Sequence, residues 1–63
     1  MTADEFNRLD IEDQLKIIWE TGVLDDHNTG ISQFYLVYKV YDFFVEIAFD
    51  KASESIIAIR SYY

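Results

Sequence analysis

From Gln33 to Phe49 the chain reads QFYLVYKVYDFFVEIAF, apolar at odd and even positions alike. A strand with one solvated face alternates apolar and polar residues, so this stretch calls for cover on both faces of a sheet. The N-terminal third follows a different period. Ile11, Leu15, Ile18 and Trp19, with Gly22 just beyond, keep the i, i+4, i+7, i+8 spacing of a single helical stripe, and Ile17 lies off it. That stripe, Trp19 included, is the expected core face. Ahead of it, Thr2-Ala-Asp-Glu5 fits a capping box and predicts a first short helix over about 2–9 carrying Phe6 and Leu9. Asp10 then serves as a second N-cap, Glu12 and Asp13 place negative charge on the positive end of the helix dipole, and Gly22 ends a second helix over about 11–21. One short helical region cannot cover two apolar sheet faces, and that mismatch implies a partner.

Register can be tested by asking where the charges fall. Pairing Val40 with Phe43 across a tight Tyr41-Asp42 turn puts Phe34, Leu36, Tyr38 and Val40 on one face with Phe43, Val45, Ile47 and Phe49. A three-residue Lys51-Ala-Ser53 loop then pairs Asp50 with Glu54, Ile47 with Ile57 and Val45 with Ile59, with Ala58 facing Glu46 and Arg60 diagonal to it. A loop one residue longer would invert the third strand and scatter the charges. Asp50 opposite Glu54 is a mildly unfavourable like-charge pair. The reading is an α+β domain spanning 1–63. Its helical segment packs on a three-stranded antiparallel meander (about 32–40, 43–50 and 55–62), with a short extra edge strand at 23–25. Asp25-Asp-His-Asn-Thr-Gly30 is a run of turn formers and reads as loop.

In this arrangement the helices take the inner face. The outer face carries Tyr35, Val37, Phe44, Ala48, Ile56, Ala58 and Tyr62, interrupted only by Lys39, Glu46 and Arg60. Contiguous apolar patches of this kind mark association sites, and tyrosine is enriched at interface cores. The expectation is a homodimer through this face, with Glu46 of one chain meeting Lys39 or Arg60 of the other. The plainer alternative is a cross-strand charge cluster within one chain.

Composition sharpens this picture. Folded chains of this size bury only ~60% of the surface their unfolded form exposes, and without cysteine neither disulfides nor a thiolate zinc site can staple the fold. Oligomerisation is the remaining support. Twelve acidic against five basic residues give a net charge of −7, a field that repels nucleic-acid backbones and anionic membranes. No apolar run approaches a membrane span, the acidic start does not resemble a signal peptide, and a cytoplasmic location is the default. The acidic residues cluster at Asp4, Glu5, Asp10, Glu12, Asp13, Glu20 and Asp25-Asp26. An acidic adaptor or inhibitor binding a basic protein is therefore the alternative function, and nucleic-acid mimicry, which needs regular rows of carboxylates, stands behind it.

Candidate chemistry is sparse. Asp26-x-Asn28-x-Gly30 glances at a calcium loop, but Ile31 and Val37 occupy the positions of the obligatory glycine and bidentate glutamate, so no metal is assigned. His27 has no second imidazole or cysteine beside it in the sequence, and Glu46 between Phe44 and Ala48 is the only general base worth naming. The reading is non-enzymatic, with no catalytic residues and no cofactor. A small-molecule site near Tyr35, Phe44 and Tyr62 would need a dimer interface to give it depth.

Four segments carry a likeness. Glu5-Phe-Asn7, Ile18-Trp-Glu-x-Gly22, Phe43-Phe-Val-Glu46 and Ile59-Arg-Ser-Tyr62 resemble short uncharacterised bacterial proteins with an N-terminal helix and an antiparallel β-meander. These motifs are packing patterns, and the resemblance implies a fold without implying a chemistry. Proteins of that kind often continue past the last strand toward another helix, whereas this chain stops at Tyr63.

Overall fold

Thr2 opens the fold as a helix cap. In the computed structural model, which describes residues 1–63, its hydroxyl accepts from the Glu5 amide at 3.1 Å and the Glu5 carboxylate accepts from the Thr2 amide at 2.8 Å. This is the reciprocal pair that the Thr-x-x-Glu spacing calls for. Helix α1 (Ala3–Asn7) is little more than one turn, and α2 (Ile11–Thr21) starts after Asp10, whose carbonyl accepts from the Gln14 amide at 2.9 Å. The Asp10 side chain makes no capping bond. Gly22 ends α2 as its position suggests, but its backbone is extended (φ −77°, ψ 144°) rather than left-handed. The need for glycine is steric: a Cβ there would stand 2.5 Å from the Ile18 carbonyl oxygen. The chain can therefore pass from helix to strand without a linker.

Four strands follow, β1 (Val23–Thr29), β2 (Gln33–Val40), β3 (Phe43–Asp50) and β4 (Ile56–Tyr62), in an antiparallel meander of order β1-β2-β3-β4. The edge strand anticipated at 23–25 is present and longer than expected. It runs through Thr29, so Asp25 to Thr29 is strand rather than loop. Pairing with β2 outweighs the turn propensity of these residues, because β propensity reflects context more than intrinsic preference. The misfit shows as a register shift between Leu24 and Asp26, and every residue of β1 is exposed.

The β2–β3 hairpin has the expected register, Val40 opposite Phe43 through Phe34 opposite Phe49. The turn puts Tyr41 at φ 53°, a left-handed conformation that a residue with a Cβ adopts at a cost. The β3–β4 register differs from the sequence reading by two residues. Ile47 faces Ile59, Val45 faces Ser61 and Glu46 faces Arg60, while Ala58 lies opposite Ala48. The connection is longer than three residues because it folds on itself: the Glu54 amide donates to the Asp50 carbonyl at 2.8 Å, with Glu54 at φ 60°. Asp50 and Glu54 are thus not a cross-strand pair. A two-residue slip keeps every side chain of Ala58 to Tyr62 on its expected face.

The core lies between the helices and the inner face. Ala3, Phe6 and Ile18 pack on Val40, Phe43, Val45 and Ile47, and the Phe6 and Phe43 ring centroids are 5.7 Å apart. Each fully buried large side chain contributes ~1.5–3 kcal/mol. The helical stripe is rotated from its sequence reading. Gln14 is buried and Ile17 packs against the core, whereas Ile11 is half exposed and Trp19 is 63% exposed, its ring edge-on to Tyr38 at 6.0 Å. The reason is that α2 faces α1 as well as the sheet. Gln14 Nε2 donates to the Phe6 carbonyl at 3.0 Å, which draws that side of α2 inward and turns Trp19 toward the rim. No helix is long and apolar enough to cross a membrane.

Candidate functional site

The even-numbered positions of β3 point away from the helices, and the pairing aligns them into three rungs across β2, β3 and β4. These are Lys39–Phe44–Tyr62, Val37–Glu46–Arg60 and Tyr35–Ala48–Ala58. Strand alternation alone puts these side chains on one surface. The sequence-derived residues Tyr35, Val37, Lys39, Phe44, Glu46, Ala48, Ala58, Arg60 and Tyr62 are therefore brought together. Ile56 is not among them. A register irregularity at Ala48/Phe49 sets Ile56 opposite Phe49, where it packs against the core. Ile57 takes the outer position in its place, beside Tyr35, Ala48 and Ala58. A bulge places two consecutive residues opposite one, so simple alternation from Arg60 backward mis-assigns the isoleucine pair.

Each rung has its own character. At one end the Phe44 and Tyr62 rings stack with centroids 5.9 Å apart, and Lys39 Nζ lies 5.1 Å from the centre of the Phe44 ring. In the middle, Arg60 donates to Glu46 Oε1 at 2.8 Å, with Arg60 71% and Glu46 25% exposed. The pair is therefore direct and within one chain, rather than diagonal, and Lys39 takes no part in it. At the other end the two alanines form the floor of a concavity of about 290 Å³, walled by Gln33, Tyr35, Ile57, Glu46 and Arg60. The Tyr35 hydroxyl donates to Gln33 Oε1 at 2.7 Å along its rim.

The acidic residues lie mostly elsewhere. Asp4, Glu5, Asp10, Glu12, Asp13 and Glu20 are exposed on or beside the helices, and Asp25 and Asp26 are exposed on β1. The hydrogen bond from the Thr2 amide, with a further contribution from the Thr2 side chain, holds the Glu5 carboxyl below the usual carboxylate range. The Ser53 amide and hydroxyl do the same for Asp50, donating to Oδ2 at 2.9 and 2.8 Å. Both carboxylates therefore lock local structure, one a helix cap and the other the β3–β4 connection. His27, on β1 opposite Leu36, donates its amide to Asp26 Oδ1 at 2.8 Å.

Comparisons with protein-family models, curated proteins and solved structures find no match to this chain.

Proposed function

We propose that the protein acts by self-association through the outer face of its sheet, a non-enzymatic module in which a second copy supplies the cover that the helices give the inner face. The supporting observation is the continuity of the three rungs. Tyr35, Val37, Phe44, Ala48, Ile57 and Tyr62 surround one ion pair, and no element of the chain lies over them. A closed two-fold dimer uses the same patch on both copies, and Glu46 and Arg60 of opposite charge on one rung are suited to meeting their counterparts in reverse order. At strand spacings of ~4.8 Å and a rise of ~3.4 Å per residue, the three-stranded face measures roughly 14 by 24 Å. Two such faces bury roughly 700 Å² in projection, below the ~1,200 Å² at which standard stable interfaces begin. The association is accordingly one that dilution should dissociate.

Light scattering over a wide dilution range, at low and high salt, tests this. The assembly should exceed one chain at high concentration, resist salt, and halve in mass on Glu46→Lys with the helical circular dichroism unchanged. A single-chain mass at every concentration overturns the proposal. The second reading then leads: a basic protein captured by the exposed carboxylates of the helical layer. Binding of that kind weakens steeply with salt, since exposed charges are screened over ~8 Å at physiological ionic strength.

A further inference from the structure

The two edges of the sheet are built differently. β1 is broken by the irregularity at Asp25 and carries adjacent aspartates, two devices by which natural sheets keep an edge from pairing. β4 has its irregularity only at its start, and from Ala58 to Tyr62 it is regular, with Arg60 as its only charge, already held by Glu46. Backbone direction follows from the ladder. The Asp50 amide bonds to the Ser55 carbonyl on the β4 side, and the Lys51 amide bonds to the Ser32 carbonyl on the β2 side. Even positions of β3 therefore turn their backbone groups toward β4, and Phe44, Glu46 and Ala48 bond to Tyr62, Arg60 and Ala58. The intervening Ile59 and Ser61 turn their N–H and C=O groups away from the sheet.

This edge is also held in place. Ser61 Oγ donates to the Ala3 carbonyl at 3.0 Å and lies 2.7 Å from Asn7 Oδ1, tying β4 to α1 through the side chain and leaving the Ser61 backbone unspent. A preordered edge loses little freedom when another strand pairs with it.

We infer that β4 docks on β4 of a second copy, antiparallel about a two-fold axis, making one continuous eight-stranded sheet. This surface is distinct from the outer face, so the inference goes beyond the function proposed above. An axis at Ile59 brings its outward N–H and C=O groups against their own equivalents and sets Arg60 opposite the small Ala58 of the second copy. An axis at Arg60 would oppose two guanidiniums, which is unfavourable. Used together, edge and face close four chains into an assembly of two stacked sheets.

Residue-resolved amide exchange of the full chain, dilute and concentrated, tests the edge. The Ile59 amide should exchange freely when dilute and at least tenfold more slowly when concentrated, while the Arg60 amide, bonded within the sheet, is slow at both. A chain made by chemical synthesis with an N-methyl group on the Ile59 amide removes one outward donor and should halve the assembly mass. Rapid exchange at Ile59 in the associated state, or unchanged assembly of the N-methyl chain, overturns the edge and leaves the face proposal standing. Protected edge amides with Glu46→Lys assembling like the unmodified chain support the edge and overturn the face.

Discussion

Phe43 and Phe44 are neighbours on one strand and chemically identical, yet their environments have little in common. Phe43 is wholly buried among Phe6, Val40 and Val45, with the Phe6 ring 5.7 Å away, whereas Phe44 is half-buried under Lys39 and beside Tyr62. The same holds along the whole sheet. Inner positions Val45 and Ile47 are fully buried, while Val37, Tyr35 and Tyr62 on the outer face retain exposure. Apolar content does not distinguish the two faces; what lies over them does. A 63-residue chain can supply one layer of helix, and the second face of its sheet is left uncovered.

Alanine substitutions at the two phenylalanines break this comparison most directly. At ~0.05–0.15 kcal/mol per residue the fold holds only roughly 3–9 kcal/mol. Phe43→Ala should remove about 3–5 kcal/mol and leave the chain at the edge of unfolding in a urea titration. Phe44→Ala should cost about 1 kcal/mol while lowering the association measured by light scattering. Equal urea midpoints for the two variants would contradict the assignment of the faces.

A smaller effect, of opposite sign, is expected at the β3–β4 connection that selects which side of β4 faces outward. Glu54 holds a left-handed φ of 60° with an exposed side chain. Glu54→Gly should relieve that strain, offset in part by the greater backbone freedom glycine loses on folding, and raise stability by about 0.5 kcal/mol, visible as a higher urea midpoint at unchanged slope. The Glu46–Arg60 pair should matter as little to the single chain. Its coupling in a double-mutant cycle, measured at dilutions that keep the chain monomeric, should be ~0.2–1 kcal/mol, the range of exposed ion pairs. A larger value would mean that the outer face is organised without a partner.

Acid titration gives the gentlest probe, and it addresses Asp50. Its carboxylate binds a proton more weakly when folded than when unfolded, because the Ser53 amide and hydroxyl stabilise the anion. The unfolded chain therefore takes up the proton first as the pH falls. The stabilisation is present above the ordinary carboxylate range and is lost as the pH drops through the lowered folded-state value. Asp50→Asn should be less stable than the unmodified chain at neutral pH and indistinguishable from it in strong acid. A difference that persists in acid would assign the effect to packing.

Several features were legible because they depend on a few adjacent residues. The Thr2–Glu5 capping box, the end of α2 at Gly22, the Val40–Phe43 hairpin and the alternation that gathers Tyr35, Val37, Phe44, Glu46 and Ala48 all follow from spacing alone. Others were not legible. The strand character of Asp25 to Thr29 exists only because β2 offers an edge to pair with, and nothing in the turn-forming composition announces it. The α2 stripe places Trp19 in the core, yet it lies at the rim, because Gln14 bonds to Phe6 on α1 and the stripe of one helix carries no information on how it docks against another. The exchange of Ile56 for Ile57 reflects a bulge that the sequence does not announce, because the two isoleucines suit an apolar inner and an apolar outer face equally.

By itself, then, the sequence determined the period of each segment and hence which side chains share a surface, because helical and strand geometry impose fixed repeats on any chain that adopts them. The tertiary structure decided how those surfaces are oriented and covered. Helix rotation, edge pairing and the two-residue slip of β4 depend on contacts between residues far apart in the chain, and a slip of two preserves every local pattern from Ala58 onward while changing each partner.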